Sequence, residues 1–173
     1  MTFTALFTAV LCVVAPFSIP IGPIPLSLAT FVIYLAAGAL GWKYAAVSVL
    51  LYILIGTVGV PVFSGYRGGF DRIIGPTGGY IIGYIPLALA TGAAAALSKK
   101  IWVLAFGMVI GTIVLYTLGT AWFMFQSGNS LAVSLALCVT PFLPGDAGKI
   151  AAACIIAPQL RAVTEKLQAR QAA

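Results

Sequence analysis

Asp146 and Lys149 stand three residues apart in the stretch PFLPGDAGKI, an acid and a base in the first turn of the helix expected after Pro144 and Gly145. A carboxylate accepts from N–H donors and an ammonium donates to a carbonyl. Side by side they form a complementary clamp for a urea- or amide-like group. The plainer alternative is a helix cap with a local ion pair, because a first-turn carboxylate also satisfies free backbone N–H groups. The setting favours ligand binding: 62% of the 173 residues are hydrophobic, 7% are charged, and the acids are only Asp71, Asp146 and Glu165. A charge kept inside an apolar bundle is costly and usually marks a substrate pathway. The same stretch is not a phosphate loop. Leu143 stands where the first glycine is required, and Ile150 where Ser or Thr must follow the lysine.

A second constellation is GPTGGY, from Gly75 through Thr77, Gly78 and Gly79 to Tyr80. Exposed backbone N–H groups there, with the Thr77 hydroxyl, suit an anion such as a carboxylate; a plain turn and helix start is an equal reading. Arg67 and Arg72 flank it, as ligand contacts or as solvated or headgroup-facing side chains. Tyr66, Phe70, Tyr80 and Tyr84 suit the walls of an apolar pocket, although a tyrosine in such a position is more often an interface anchor. The chain has no histidine and three carboxylates. That removes the usual ligands of a catalytic metal and the paired groups a membrane enzyme acting on lipid would need. No cofactor is expected. Cys12, Cys138 and Cys154 all lie in apolar runs and read as small core residues.

The elements that position these residues are set by hydropathy. Apolar segments at about 3–19, 26–40, 44–60, 79–97 and 101–125, with a final helix from 145 into a polar tail, predict spans of roughly 20 residues each. Three prolines break the chain in PIGPIP, a glycine-rich loop covers 61–78, and the short apolar piece 131–140 is too short to cross alone. The N-terminal stretch lacks a basic region ahead of its apolar run and reads as a first span rather than a signal peptide. With the N-terminus inside, Lys43, Lys99, Lys100, Arg161, Lys166 and Arg170 all fall on the cytoplasmic side. The net charge of +6 thus reflects membrane topology rather than nucleic-acid binding. The tail returns inside only if the number of crossings is even. The expectation is an all-α integral membrane protein: a bundle of six transmembrane helices, a long outer loop between helices 3 and 4, and a short extra helix before helix 6. Residues 1–160 form the bundle of this single domain, and 161–173 are a cytoplasmic polar tail. The 61–78 loop and the start of the last helix then share the outer side, where nonhelical backbone survives by lining a cavity. In the first helix Ala5 and Ala9 have the small-xxx-small spacing that lets helices approach; Gly79 with Gly83 and Gly107 with Gly111 repeat it.

Through IPIGPIPLSLATFVIYLAAGALG, GVPVFSGYRGGFDRIIGPTGGYIIGY and TPFLPGDAGKIAAA, nearly the whole chain resembles the BioY family, the biotin-specific capture components of energy-coupling factor (ECF) transporters. The second and third stretches are the specific ones. The resemblance implies a six-helix protein of the bacterial inner membrane with cytoplasmic termini. It would bind biotin from outside and work with a transmembrane coupling subunit and two cytoplasmic ATPases, without covalent chemistry of its own. By the same resemblance Asp146 and Lys149 contact the bicyclic head, whose ureido group has two N–H donors and one carbonyl. Gly75, Thr77, Gly78 and Tyr80 match the family's turn, and Ala5 and Ala9 its docking face for the coupling subunit. The family's polar contacts to the valerate tail do not align onto particular residues of this chain, so its carboxylate is left to Arg67, Arg72 or backbone. The competing expectation is a self-sufficient transporter or channel. Against it stand the short chain and the lack of a visible inverted repeat.

Overall fold

The computed structural model describes residues 2–20 and 23–172. Pro16 stops the first apolar run early, since proline neither donates to a helix nor lets its neighbour stay helical. Helix α1 (Thr2–Val14) therefore ends five residues short of the expected boundary at 19. The chain then turns back on itself. Strand β1 (Ser18–Pro20) pairs antiparallel with β2 (Pro25–Ser27), Ser18 opposite Ser27 and Pro20 opposite Pro25. A short hairpin tolerates prolines that a central strand would not. This hairpin was not foreseen, because the prolines signalled only a break.

Helices α2 (Ala29–Leu40) and α3 (Trp42–Thr57) meet at Gly41, whose φ of +78° makes the elbow that a side chain would strain. Small residues make α2 the centre of the bundle. Its alanines and Gly38 let α1 and α3 approach, as well as the two later helices α5 (Gly78–Leu97) and α8 (Leu143–Ala172). A methyl on Gly38 would lie 2.7 Å from Cβ of Ala157 on α8. Hydroxyls tie α1 to α3. Thr8 donates to the carbonyls of Thr4 (2.9 Å) and Ser48 (3.2 Å), and Ser48 donates back to Thr4 (3.0 Å). In an apolar bundle such small hydroxyls satisfy themselves on backbone carbonyls while keeping the helices close.

The segment between α3 and α5 holds one helical turn, α4 (Asp71–Ile74), and is tethered at three points. Tyr52 donates to the Val62 carbonyl (3.2 Å), Gly65 N–H to Pro16 (2.9 Å) and Gly69 N–H to Gly56 (2.7 Å). Helix α6 (Ile101–Ser127) runs back along α5 through a seam of glycines, ending at Gly128 in left-handed conformation. Added methyls would sit 2.9 Å from the Leu118 carbonyl at Gly79, 2.7 Å from Leu115 at Gly83 and 2.8 Å from Leu87 at Gly111. After α7 (Leu131–Cys138) the chain bends by 49° into α8.

Helices α5 and α6 are long and apolar enough to cross a membrane alone, and α7 with α8 qualify together as a broken span. Helices α1, α2 and α3 are apolar but only 13, 12 and 16 residues long, shorter than the spans the sequence suggested. Leu6, Val13, Leu54, Phe106 and Ile113 are all more than half exposed. So continuous an apolar exterior belongs in lipid.

Candidate ligand-binding site

Helix α8 begins at Leu143, and proline is tolerated in its first turn at Pro144. Asp146 N–H donates to the Phe142 carbonyl (2.8 Å), so Asp146 already lies inside the helix and is not its cap. Its carboxylate turns into the bundle instead. Oδ2 accepts from the Tyr116 hydroxyl (2.6 Å) and Oδ1 from Lys149 Nζ (2.9 Å). Lys149 spends its other two donors on the Ser27 carbonyl (2.6 Å) and Thr30 Oγ1 (3.1 Å). The side chains of Lys149 and Asp146 are 11% and 7% exposed. Burying two charges is favourable only when their remaining hydrogen-bonding capacity is met, and these contacts meet it. Of the plainer sequence reading, the ion pair stands and the cap does not.

One chamber borders this pair directly and a second lies beyond it, while a third cavity, about 410 Å³, reaches Lys149 from the side of Phe17 and Tyr66. The inner chamber, about 40 Å³, is bounded by Ile24, Tyr80, Tyr84, Tyr116, Asp146 and Lys149, among others. At roughly 10–15 Å³ per water it has room for a few waters. The outer one, about 440 Å³, is lined by Ser64, Arg67, Arg72 and Thr77 on its polar side and by Tyr52 and Phe63 on its apolar side. Ile24 and Pro25 of the hairpin, with Tyr80 and Tyr84 of α5, belong to both and form the partition. The arrangement is a narrow, charged, buried end behind a wide, cationic mouth.

Both arginines therefore line the mouth. Arg67 is exposed, whereas Arg72 Nε lies 3.4 Å from Asp71 Oδ2. The Thr77 hydroxyl donates to the Arg72 carbonyl at 3.4 Å. Tyr80 anchors α5 to α7, its hydroxyl donating to the Cys138 carbonyl (3.1 Å) beside Thr120 Oγ1 (3.2 Å). Gly75 and Gly78 border neither chamber among the described residues. Gly75 N–H donates to the Asp71 carbonyl (2.8 Å), and its own carbonyl accepts from Gly78 N–H (3.0 Å) and Trp122 Nε1 (2.9 Å). Gly78 is pressed against the Ile73 carbonyl and the Trp122 ring. These two glycines shape the turn that carries Thr77 and Tyr80. Tyr66 and Phe70 are about 60% exposed; Tyr66 lies edge-on to Phe17 at 5.7 Å and borders not these two chambers but the cavity that reaches Lys149 from the other side. Ala5 and Ala9 are exposed on α1, about a quarter-turn around the helix from buried Thr4 and Thr8. The cysteines are free, and no group of three potential metal ligands occurs among the described residues.

Sequence reasoning missed Tyr116, Ser27 and Thr30. A tyrosine in the middle of the run 101–125 was a usable signal, since a polar group at membrane depth needs a partner. Nothing local marked Ser27 and Thr30, whose tie to Lys149 spans about 120 residues of chain.

A BioY family model matches residues 1–166. The biotin transporter BioY of Thermotoga maritima is 37% identical over 157 residues, covering 90% of this chain and 92% of its own. The probable biotin transporter BioY of Pyrococcus horikoshii is 39% identical over 164 residues, covering 95% and 97%. Among solved structures, the crystal structure of the S-component for biotin from an ECF-type ABC transporter superposes with a TM-score of 0.85 at 31% identity, over 92% of this chain and 89% of that one. Matched over almost its whole length in sequence and in fold, the chain belongs to the BioY family.

Proposed function

We propose that the protein captures biotin and serves its uptake as the substrate-specific component of an ECF-type transporter. The observation that carries this reading is the buried Asp146–Lys149 pair at the inner end of a cavity whose mouth holds two arginines. A ureido ring offers an N–H and a carbonyl on adjacent atoms, matched by a carboxylate beside an ammonium. The valerate tail then extends past the tyrosine partition, leaving its carboxylate to Arg67 or Arg72 with help from Thr77. The inner chamber widens as the head enters, because it otherwise holds only a few waters. Gly75, Gly78 and Tyr80 contribute by setting the shape of that passage.

The chain acts as one six-helix membrane domain over residues 1–160, with 161–173 as a polar cytoplasmic tail. Its termini lie in the cytoplasm and the cavity opens outward across the bacterial inner membrane. The charge distribution supports this orientation. Lys43, Lys99 and Arg161 cluster around grooves at the end of the bundle remote from the site, where positive charge favours the cytoplasm. Ala5 and Ala9 on the exposed side of α1 offer a shallow path for a helix of a transmembrane coupling subunit, which couples in turn to two cytoplasmic ATPases. No catalytic group is needed, since ATP hydrolysis belongs to those partners.

Titration calorimetry of the purified protein with biotin tests the reading. Tight one-to-one binding that Asp146→Asn weakens by one to two decades is expected, the value of a charge-assisted hydrogen bond of roughly 1.5–3 kcal/mol. Absence of binding, or equal affinity in the variant, overturns it.

A further inference from the structure

The interior tyrosines divide sharply by what their hydroxyls do. Tyr34 meets Thr112 Oγ1 (2.6 Å), Tyr52 the Val62 carbonyl (3.2 Å), Tyr80 the Cys138 carbonyl (3.1 Å) and Tyr116 the Asp146 carboxylate (2.6 Å). Tyr84 is 7% exposed, yet its hydroxyl has no hydrogen-bond partner among the described residues. Nor is that hydroxyl sealed in packed protein, as the unpartnered Thr91 Oγ1 and Ser134 Oγ are. Tyr84 stands in the partition and borders both chambers, so its free hydroxyl has the cavity as its outlet. A polar group that opens only into a cavity takes its partner from whatever fills that cavity, water or ligand.

The ureido ring has a matching need. Its carbonyl lies between two N–H groups pointing to opposite sides. With Asp146 Oδ1 and Lys149 Nζ 2.9 Å apart, the pair serves one N–H and the carbonyl along a single edge once Lys149 exchanges one of its three protein contacts for the ligand. The second N–H faces away from that carboxylate and, once desolvated, requires another acceptor. In the same chamber Ser27 and Thr30 already accept from Lys149, and Tyr116 is held against Asp146 by the hydrogen it donates, whereas the Tyr84 hydroxyl is committed to no protein group among the described residues. Resting on the biotin reading above, we propose that the Tyr84 hydroxyl accepts the second ureido N–H. Tyr84 thereby makes the site selective for a cyclic urea over rings with a single N–H.

Tyr84→Phe and Tyr80→Phe, each in the full chain purified in detergent, separate this role from a structural one. Tyr84→Phe is expected to bind biotin roughly ten- to a hundredfold more weakly, with a ligand-free melting temperature equal to or above that of the parent. Tyr80→Phe strips a partner from the Cys138 carbonyl and is expected to melt lower without ligand. Biotinamide, which lacks the tail carboxylate, should suffer the same loss as biotin on Tyr84→Phe. Parental biotin affinity in Tyr84→Phe overturns the proposal, and so does a ligand-free melting temperature that falls as far as in Tyr80→Phe. A loss that disappears with biotinamide overturns it too, placing Tyr84 on the tail carboxylate. If the parent itself fails to bind biotin, the functional reading falls and takes this assignment with it.

Discussion

On the proposed reading the Asp146 carboxylate has two tasks: neutralising Lys149 in the ligand-free protein and offering an acceptor to a ligand. Tyr116 makes both possible, because its hydroxyl occupies Oδ2 and holds the group in one orientation. Asp146→Leu is therefore expected to do more than abolish binding. It leaves the Lys149 ammonium uncompensated and costs about 3–5 kcal/mol, the usual penalty for breaking a buried pair. The double variant Asp146→Leu, Lys149→Leu should recover part of that stability without recovering binding. Thermal unfolding in detergent checks this, and a double variant no more stable than the single one would contradict it. Tyr116→Phe should weaken biotin about tenfold in the parent, the value of one hydrogen bond to a charged group. In the Asp146→Asn background its effect should nearly vanish, because residues acting through one another are not additive. Full additivity in calorimetry would show that Tyr116 meets the ligand independently.

Among the elements, α5 and α6 depend on the glycine seam more than on any side-chain cluster. A side chain at Gly111 would collide with Leu87, whose carbonyl lies 3.1 Å from the added atom, and backbone cannot yield as a flexible side chain can. Gly111→Val is expected to destabilise the protein by about 1–3 kcal/mol or more through overpacking. Its ligand-free melting temperature should drop, while any protein that remains folded keeps its biotin affinity, because Asp146 and Lys149 sit on α8. The small-residue spacings at Gly79, Gly83, Gly107 and Gly111 were weak signals individually, being common in helices this rich in alanine and glycine. Their pairing into one interface is what the folded chain adds.

On the proposed reading, ligand capture at one end of the molecule and coupling along α1 are separable functions. Tryptophan at Ala5 or Ala9 fills the exposed path on α1 without reaching either chamber. Ala5→Trp and Ala9→Trp are expected to bind biotin with parental affinity but to fail to copurify with a coupling subunit and to drive uptake. If both assemble and transport normally, α1 is not the docking face. Orientation is open to labelling. In a background with Cys12, Cys138 and Cys154 replaced, a cysteine at Ser64 should react with an impermeant maleimide from outside. One at Lys100 should react only after permeabilisation.

Much of this was legible in the order of residues, and the division has a physical cause. Hydropathy is summed locally, so the membrane class, the apolar helices and the glycine-rich break between α3 and α5 are readable without a fold. A spacing of three likewise keeps Asp146 and Lys149 neighbours on any helix that carries them. Where α1 stops was local as well, but the hairpin that follows depends on pairing Ser18 with Ser27, and a run of prolines does not announce that register. The partners of the charged pair lie beyond any local rule. Tyr116 is 30 residues from Asp146 along the chain, and Thr30 is 119 from Lys149. Only the rotation of each helix about its axis brings them together, and small-residue packing of α2 against α8 sets that rotation. The sequence by itself determined that an acid and a base would face an apolar interior together. The tertiary structure decided what they face, and left Tyr84 as the tyrosine in that chamber with a hydroxyl to spare among the described residues.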